Sequence, residues 1–256
     1  MLPRRRSKGK YDHVMQRLFD INPTIDVTTA STVFARDHRV QIRGFLTDHT
    51  ARVVRRVLQH ETPWGTAWQA GTSGPSSMRQ QELRAMPADR RTALAAAVNT
   101  AAASRDYAFR FAHYPMVHAY IEKWNARGLH DLLVEHLNDA SFLNFARAVT
   151  GIPELIKADA QATFFSAGDF LALHDDSHAA QGRRVAYVLN VADDDWHTDW
   201  GGYLNFLDDD GDVVAGWRPR FNALNLFRVP QRHQVSYMPP FARASRFAVT
   251  GWLRDR

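Results

Sequence analysis

The chain has 256 residues, 45% hydrophobic and 23% charged, the balance of an ordinary globular protein long enough to bury a full core. It has no cysteine, which excludes a disulfide framework, a thiolate zinc site, an iron–sulfur cluster and a cysteine nucleophile, and leaves His, Asp and Glu to hold any metal. The net charge of +5, from 32 Lys and Arg against 27 Asp and Glu, permits an anionic partner without demanding one.

The opening segment, Met1 to Lys10, is basic but leads into Tyr11-Asp-His-Val rather than an apolar signal stretch, and no run reaches the ~18 apolar residues of a membrane span. A cytoplasmic protein with no membrane partner is expected. Residues 1–20 read as a basic flexible tail and 21–256 as one folded domain, with helical support over 47–155 and a β-core over 156–256.

In chain order, Arg39 to Leu46 alternates and predicts a strand. A helix follows over Thr47 to Leu58, with Thr47 as its N-cap. Thr-Ser-Gly-Pro-Ser-Ser at 72–77 predicts a loop. Asp89 to about Ser104 is alanine-rich and predicts a helix. Leucines at 129, 132, 133 and 137 form one helical face that continues through Phe142 and Phe145 and stops at Gly151-Ile-Pro153. Beyond this the apolar runs are short: 162–165, 170–173, 184–191, 203–207, 223–227, 234–237 and 246–253. Ser-Ala-Gly-Asp, Trp-Gly-Gly and Asp-Asp-Asp-Gly-Asp turns separate them. Such spacing predicts a sandwich, jelly roll or barrel, with the helices bracing one face. Rossmann and Walker phosphate loops and the Gly-x-Ser-x-Gly elbow are absent from the sequence.

The chemistry concentrates at Leu-His174-Asp175-Asp176-Ser177-His178. His174 and Asp176 are two apart at a strand end, which puts them on one face. A third ligand should arrive from a distant strand, and His233 is the candidate. Two imidazoles and one carboxylate on one face of an octahedral ion leave three positions open, the arrangement of non-haem Fe(II) oxygenases. Arg246 opens Arg-Phe-Ala-Val-Thr-Gly-Trp252 on a face shared with Ala248 and Thr250. An arginine among small inward residues needs an anionic partner, and its planar fork suits a carboxylate.

Taken together, the segments 164–176, 184–191, 199–206, 225–235 and 246–252 resemble the iron(II)- and 2-oxoglutarate-dependent oxygenases, and within them the prolyl-hydroxylase-like branch. The resemblance covers the C-terminal ~100 residues; the first ~155 match only in general character. It implies an α+β fold, a distorted double-stranded β-helix (jelly-roll) core braced by N-terminal helices. It also implies Fe(II) on His174, Asp176 and His233, with these three as the catalytic set. Arg246 would clamp the distal carboxylate of the co-substrate 2-oxoglutarate, dioxygen would be the oxidant, and ascorbate a reductant. A serine common in the family two residues after the arginine is here Ala248, and the long gap from His233 leaves Arg243 as a second candidate for the clamp. Tyr187 and Asn190, on opposite faces of one strand, are candidates to bond the co-substrate.

The implied activity is hydroxylation of an unactivated C–H, on a protein or peptide residue such as proline. A free amino acid or small natural product is the alternative substrate. Nucleic acid is disfavoured, because no second basic residue follows the clamp before Arg254. From another class, a non-catalytic jelly-roll binding module would share the strand pattern but has no need of the whole set. Asp175 reads as a turn residue, His178 as an alternative ligand, Trp252 as packing beside the site, Gly201-Gly202 as a turn needing positive φ, and Asp208 to Asp212 as a solvated hairpin turn rather than a calcium loop.

Overall fold

The structure is a computed structural model and describes residues 18–256. Most of the expected basic tail therefore lies outside the described residues. Its last three positions do not behave as a tail: Leu18 and Phe19 are buried, and Phe19 packs edge-on against Phe45 and Phe142.

The helical part begins with α1 (Val27–Asp37), β1 (Arg39–Arg43) and α2 (Asp48–Arg56), the last running on into a π turn over Val57–Glu61. A hairpin, β2 (Gly65–Ala70) and β3 (Ser73–Met78), leads to α3 (Gln80–Ala85) and α4 (Ala88–Ala103). Next come β4 (Ala108–Tyr114), α5 (Met116–Ile121), α6 (Leu129–Leu137) and α7 (Ala140–Thr150). The remainder is β5 (Lys157–Ala158), β6 (Gln161–Phe165), β7 (Phe170–His174), β8 (Arg183–Asn190), β9 (Leu204–Leu207), β10 (Val213–Trp217), β11 (Ala223–Arg228), β12 (His233–Val235) and β13 (Arg246–Arg254). Among the described residues no helix is long and apolar enough to cross a membrane.

The strands join in the order β1-β11-β8-β13-β6-β4-β7-β12-β9-β10, with β2 and β3 added at β4 and β5 on β13. β4 pairs with β6 through Ala112–Tyr114 and with β7 through Phe109 and Arg110. It thereby links one curved layer to the other. This is the expected jelly-roll core with helices on one side.

Strand β8 shows why the two layers hold. It is buried along nearly its whole length, because both faces are covered. Val185, Tyr187 and Leu189 face the helices, in one cluster with Phe142, Leu133 and Val54. Ala186 and Val188 face the barrel interior, with Phe206, Phe227 and Ala248. Hydrophobic burial of order 1.5–3 kcal/mol for each large side chain fixes the register on both sides.

The sequence reading differs from the structure where tertiary contacts override local preference. Residues 73–77 of that segment lie in a strand, paired to β2 through Ser76↔Trp68 and Ser77↔Ala67. The pattern from Leu129 to Phe145 is two helices, because Asp139 accepts the Ser141 N–H and caps a new one. Thr47 precedes α2 but makes no side-chain bond to its backbone; its hydroxyl meets that of Thr50 at 3.0 Å. The expected positive φ at Gly201 and Gly202 is present, at 66° and 69°.

Candidate active site

The site is built where β7 and β12 run side by side. His174 and His233 are cross-strand partners, with ring centroids 4.1 Å apart. Each ring is oriented by its own backbone: His174 Nδ1 donates to the Ala172 carbonyl at 2.9 Å, and His233 Nδ1 to the Gln231 carbonyl at 2.7 Å. A proton held on Nδ1 leaves the Nε2 lone pair free. Both Nε2 atoms face Asp176, at 3.4 Å from Oδ1 and 3.5 Å from Oδ2. One donor atom from each residue lies within 4.8 Å of the others.

Asp176 reaches this position through a left-handed backbone, φ 63°, a conformation Asp tolerates better than most residues. Arg183 braces the turn, donating to the Asp176 carbonyl at 3.3 Å while its guanidinium covers the Trp252 ring at 3.6 Å. Burial pushes the Asp176 carboxyl upward, and the two imidazoles outweigh it, holding it below its ordinary value. Burial, with His174 alongside, drives His233 down to about 4, so its imidazole stands neutral at pH 7. Two imidazoles and an ionised carboxylate converging on one point form a donor set suited to a six-coordinate Fe(II).

Behind the triad is a small cavity of about 80 Å³, lined by Phe111, Phe165, Leu171, Leu204, Val235 and Arg246 among others. At ~30 Å³ per water that is room for roughly three waters. Arg246 is buried, and burial lowers its guanidinium to about 10. It lies 5.1 Å from the centre of the Phe165 ring, and among the described residues no carboxylate side chain pairs with it. A buried cation without a counter-charge is unfavourable, so the cavity suits an anionic group at Arg246.

In front of the triad a second cavity of about 570 Å³ opens outward. One wall is β4 with the residue before it: Tyr107, Phe109, Phe111 and His113 alternate toward the cavity, with Gln161 and Trp252 alongside, and the β2–β3 hairpin, paired to β4 through β2, continues it. Tyr107 lies 6.3 Å from the His174 ring, and burial, with the Asp176 charge, pushes its hydroxyl up to about 12. Burial lowers His113 to about 4. The β4 wall therefore presents neutral, aromatic and hydrogen-bonding groups. Sequence reading did not find it, although the Tyr-x-Phe-x-Phe-x-His alternation at 107–113 carries the signal.

The remaining candidates fall as follows. Tyr187 is among the residues lining the inner cavity, while its ring packs edge-on against Phe142 and its hydroxyl donates to the Asp159 carbonyl at 2.6 Å. Gly251 permits this crossing, since a Cβ there would collide with the Asp159 carbonyl oxygen. Asn190 is buried with its Oδ1 unpaired by protein, but it is outside the residues lining either cavity. Arg243 is exposed and lines neither. Asp175 is exposed and accepts the Ser177 N–H, a turn role. His178 is exposed and outside the triad. Asp208 and Asp212 close a hairpin turn between β9 and β10.

Residues 160–254, which hold the triad and Arg246, match the model of the 2OG-Fe(II) oxygenase superfamily. Over that stretch, 95 of the 256 residues, the chain carries the superfamily's pattern. The protein is a 2-oxoglutarate-dependent dioxygenase, a chemistry that in the family uses Fe(II), 2-oxoglutarate and dioxygen. No curated protein matches it in sequence. Solved structures share the oxygenase's fold at low identity. A Pseudomonas putida prolyl-4-hydroxylase is 15% identical with a TM-score of 0.54, over 93% of this chain and 98% of its own. A Trichoplax adhaerens prolyl hydroxylase, solved with a hypoxia inducible factor oxygen degradation domain peptide fragment, is 16% identical with a TM-score of 0.57, over 97% and 94%. The non-heme alpha ketoglutarate dependent epimerase SnoN from nogalamycin biosynthesis is 13% identical with a TM-score of 0.50, over 88% and 80%.

Proposed function

We propose that this dioxygenase hydroxylates an unactivated C–H of a protein or peptide residue, proline being the favoured class. In this reading His174, Asp176 and His233 hold Fe(II), and Arg246 binds the distal carboxylate of 2-oxoglutarate. The observation that carries the site assignment is the shared cavity: a buried, unpaired arginine at one end and a two-histidine, one-carboxylate face at the other. When bound, Fe(II) and 2-oxoglutarate supply the oxidising chemistry with dioxygen. The chain's own residues do the rest. Arg246 would hold the co-substrate's distal carboxylate, its planar fork being suited to that group. Phe111 and Phe165, stacked at 4.9 Å, give the inner cavity an apolar lining, where such an ion pair is stronger than in water.

The outer cavity supports a neutral substrate. Apart from the triad, the charged groups at its edge are Asp175 and Arg183, and Arg183 is already stacked on Trp252. Tyr107, still protonated at neutral pH, and Gln161 offer N–H and O–H donors, while His113 and Gln161 can accept. A peptide backbone presents the matching groups. The likeness to a hydroxylase solved with a peptide supports this reading, and the likeness to SnoN supports oxidation of a small molecule as the second. Ascorbate is proposed as the reductant that restores Fe(II). Residues 21–256 are proposed to act as one oxygenase domain, with the described helices sharing a packed core with β8 and β13.

The test is a mass-spectrometric screen of proline-containing peptides with Fe(II), 2-oxoglutarate and air. Gain of one oxygen on a prolyl residue, with equimolar succinate, is expected. Succinate formation stimulated only by free amino acids or small metabolites would reject the peptide reading.

A further inference from the structure

The strand path has two ends, β1 and β10, and among the described residues each pairs on one edge only. A groove of about 1000 Å³ runs between them, lined by the whole of β1, by Val214 to Trp217 of β10, and by one side of α1. It lies apart from both cavities of the active site, sharing no lining residue with them.

Four arginines line this seam: Arg39, Arg43, Arg218 and Arg220. Arg39 and Arg43 stand on one face of β1 with Gln41, while Val40 and Ile42 are buried on the other. Among the described residues none of the four has a carboxylate within ion-pairing distance. The two acids on the lining are engaged elsewhere: Asp26 accepts from Thr29 at the start of α1, and Asp37 is forked by Arg36. Burial, followed by the charges of Arg43 and Arg218, lowers the Arg220 guanidinium from its ordinary value.

General basicity does not account for this cluster. The first 17 residues hold six Arg and Lys against one Asp, equal to the net +5 of the whole chain, so the described body is electrically balanced. Arginines that merely guard a bare strand edge against aggregation would stand in water. Arg39, Arg218 and Arg220 are instead half-buried: Arg39 lies 5.0 Å over the Phe206 ring, and Arg218 donates from Nη1 to the Trp196 carbonyl at 3.2 Å while its Nε has lost solvent without gaining a hydrogen bond. Arg220 is held in place by donating to Gln41 Oε1 at 3.1 Å.

We propose that the seam is a docking groove for an extended acidic polypeptide segment. Its main chain would bond the bare edge of β1 or β10. Carboxylates on every second residue would face the arginine forks, since side chains alternate along a strand. The proposal concerns binding rather than turnover and does not depend on the oxygenase's substrate.

The test is fluorescence anisotropy with the full chain and labelled twelve-residue probes: alternating Glu-Thr, Gln-Thr and Lys-Thr peptides, and a thymidine oligonucleotide. The Glu-Thr peptide should bind best, and salt should weaken it. The double variant Arg218→Gln, Arg220→Gln should bind it at least about tenfold more weakly. The basic N-terminal residues are present in every variant, so their contribution cancels. Should the double variant fail to fold, judged by its melting curve, the exposed Arg43→Glu takes its place with a severalfold loss expected. Asp176→Asn should leave binding unchanged, which separates this result from any failure of the catalytic reading. Equal affinity of wild type and arginine variants, no preference for the Glu-Thr peptide, or tighter binding of the oligonucleotide would overturn the proposal.

Discussion

His174 and His233 face each other across the β7–β12 ladder, and each donates Nδ1–H to the carbonyl two residues before it. The two rings are thereby held as the same tautomer by main chain alone, with both Nε2 atoms turned to Asp176. The donor set is preorganised by the strands that carry it.

Asp176 is expected to separate charge from backbone. Its φ of 63° suits Asn nearly as well as Asp, whereas Ala pays ~1–2 kcal/mol there. Both Asp176→Asn and Asp176→Ala should lose Fe(II) binding, but Asp176→Ala should also be less stable by about that amount in denaturant titrations without metal. Equal stability of the two would count against the strained turn.

Arg246 should be dispensable for the fold without its ligand. Removing a buried, unpaired cation relieves a desolvation penalty, so Arg246→Met without 2-oxoglutarate should melt no lower than wild type. With Fe(II) present, 2-oxoglutarate at about 100 times its Kd should stabilise wild type by about 2.7 kcal/mol and Arg246→Met hardly at all. A large drop in the melting temperature of ligand-free Arg246→Met would assign the arginine a structural role instead.

Tyr187 offers a contrast. Its hydroxyl donates to the Asp159 carbonyl between β5 and β6, beside Gly251 of β13. Tyr187→Phe should therefore lower stability by ~1–3 kcal/mol while leaving the KM for 2-oxoglutarate unchanged. A raised KM with unchanged stability would place the hydroxyl at the co-substrate.

Stability should fall in mild acid. His130 is buried, bonds Thr62 Oγ1 at 2.9 Å, and is held down to about 4 by burial. Below its ordinary value near 6.5 the unfolded chain takes up a proton that the folded chain refuses, so stability is lost as pH drops from about 6.5 toward 4. The contribution is of order 2–3 kcal/mol at the acid end. Chemical denaturation across that range should show a shallower slope for His130→Gln than for wild type.

How much of this was legible in the sequence follows from where each signal resides. The C-terminal strands alternate or run apolar between glycine and aspartate turns, so their positions could be read to within a few residues. The triad could be read because two members are neighbours with strand spacing and the third lies in a run that matches the family. The outer cavity could not, because its walls come from β4 and the β2–β3 hairpin. Ser73 to Met78 has few strand formers and is a strand only through its pairing with β2. Val213 to Trp217 holds exposed valines and pairs with β9 across a bulge, which blurs the alternation. Tyr187 and Asn190 were correctly set on opposite faces by parity, but parity does not say which face meets the helices.

The central claim is that His174, Asp176 and His233 hold Fe(II) in the cavity that Arg246 closes. Anaerobic titration of Fe(II) and 2-oxoglutarate, followed by visible charge-transfer absorption, tests it most directly. Wild type should show a band, Asp176→Asn none, and Arg246→Met should need at least about tenfold more 2-oxoglutarate. A folded wild-type protein without the band, or a band that survives Asp176→Asn unchanged, would contradict it.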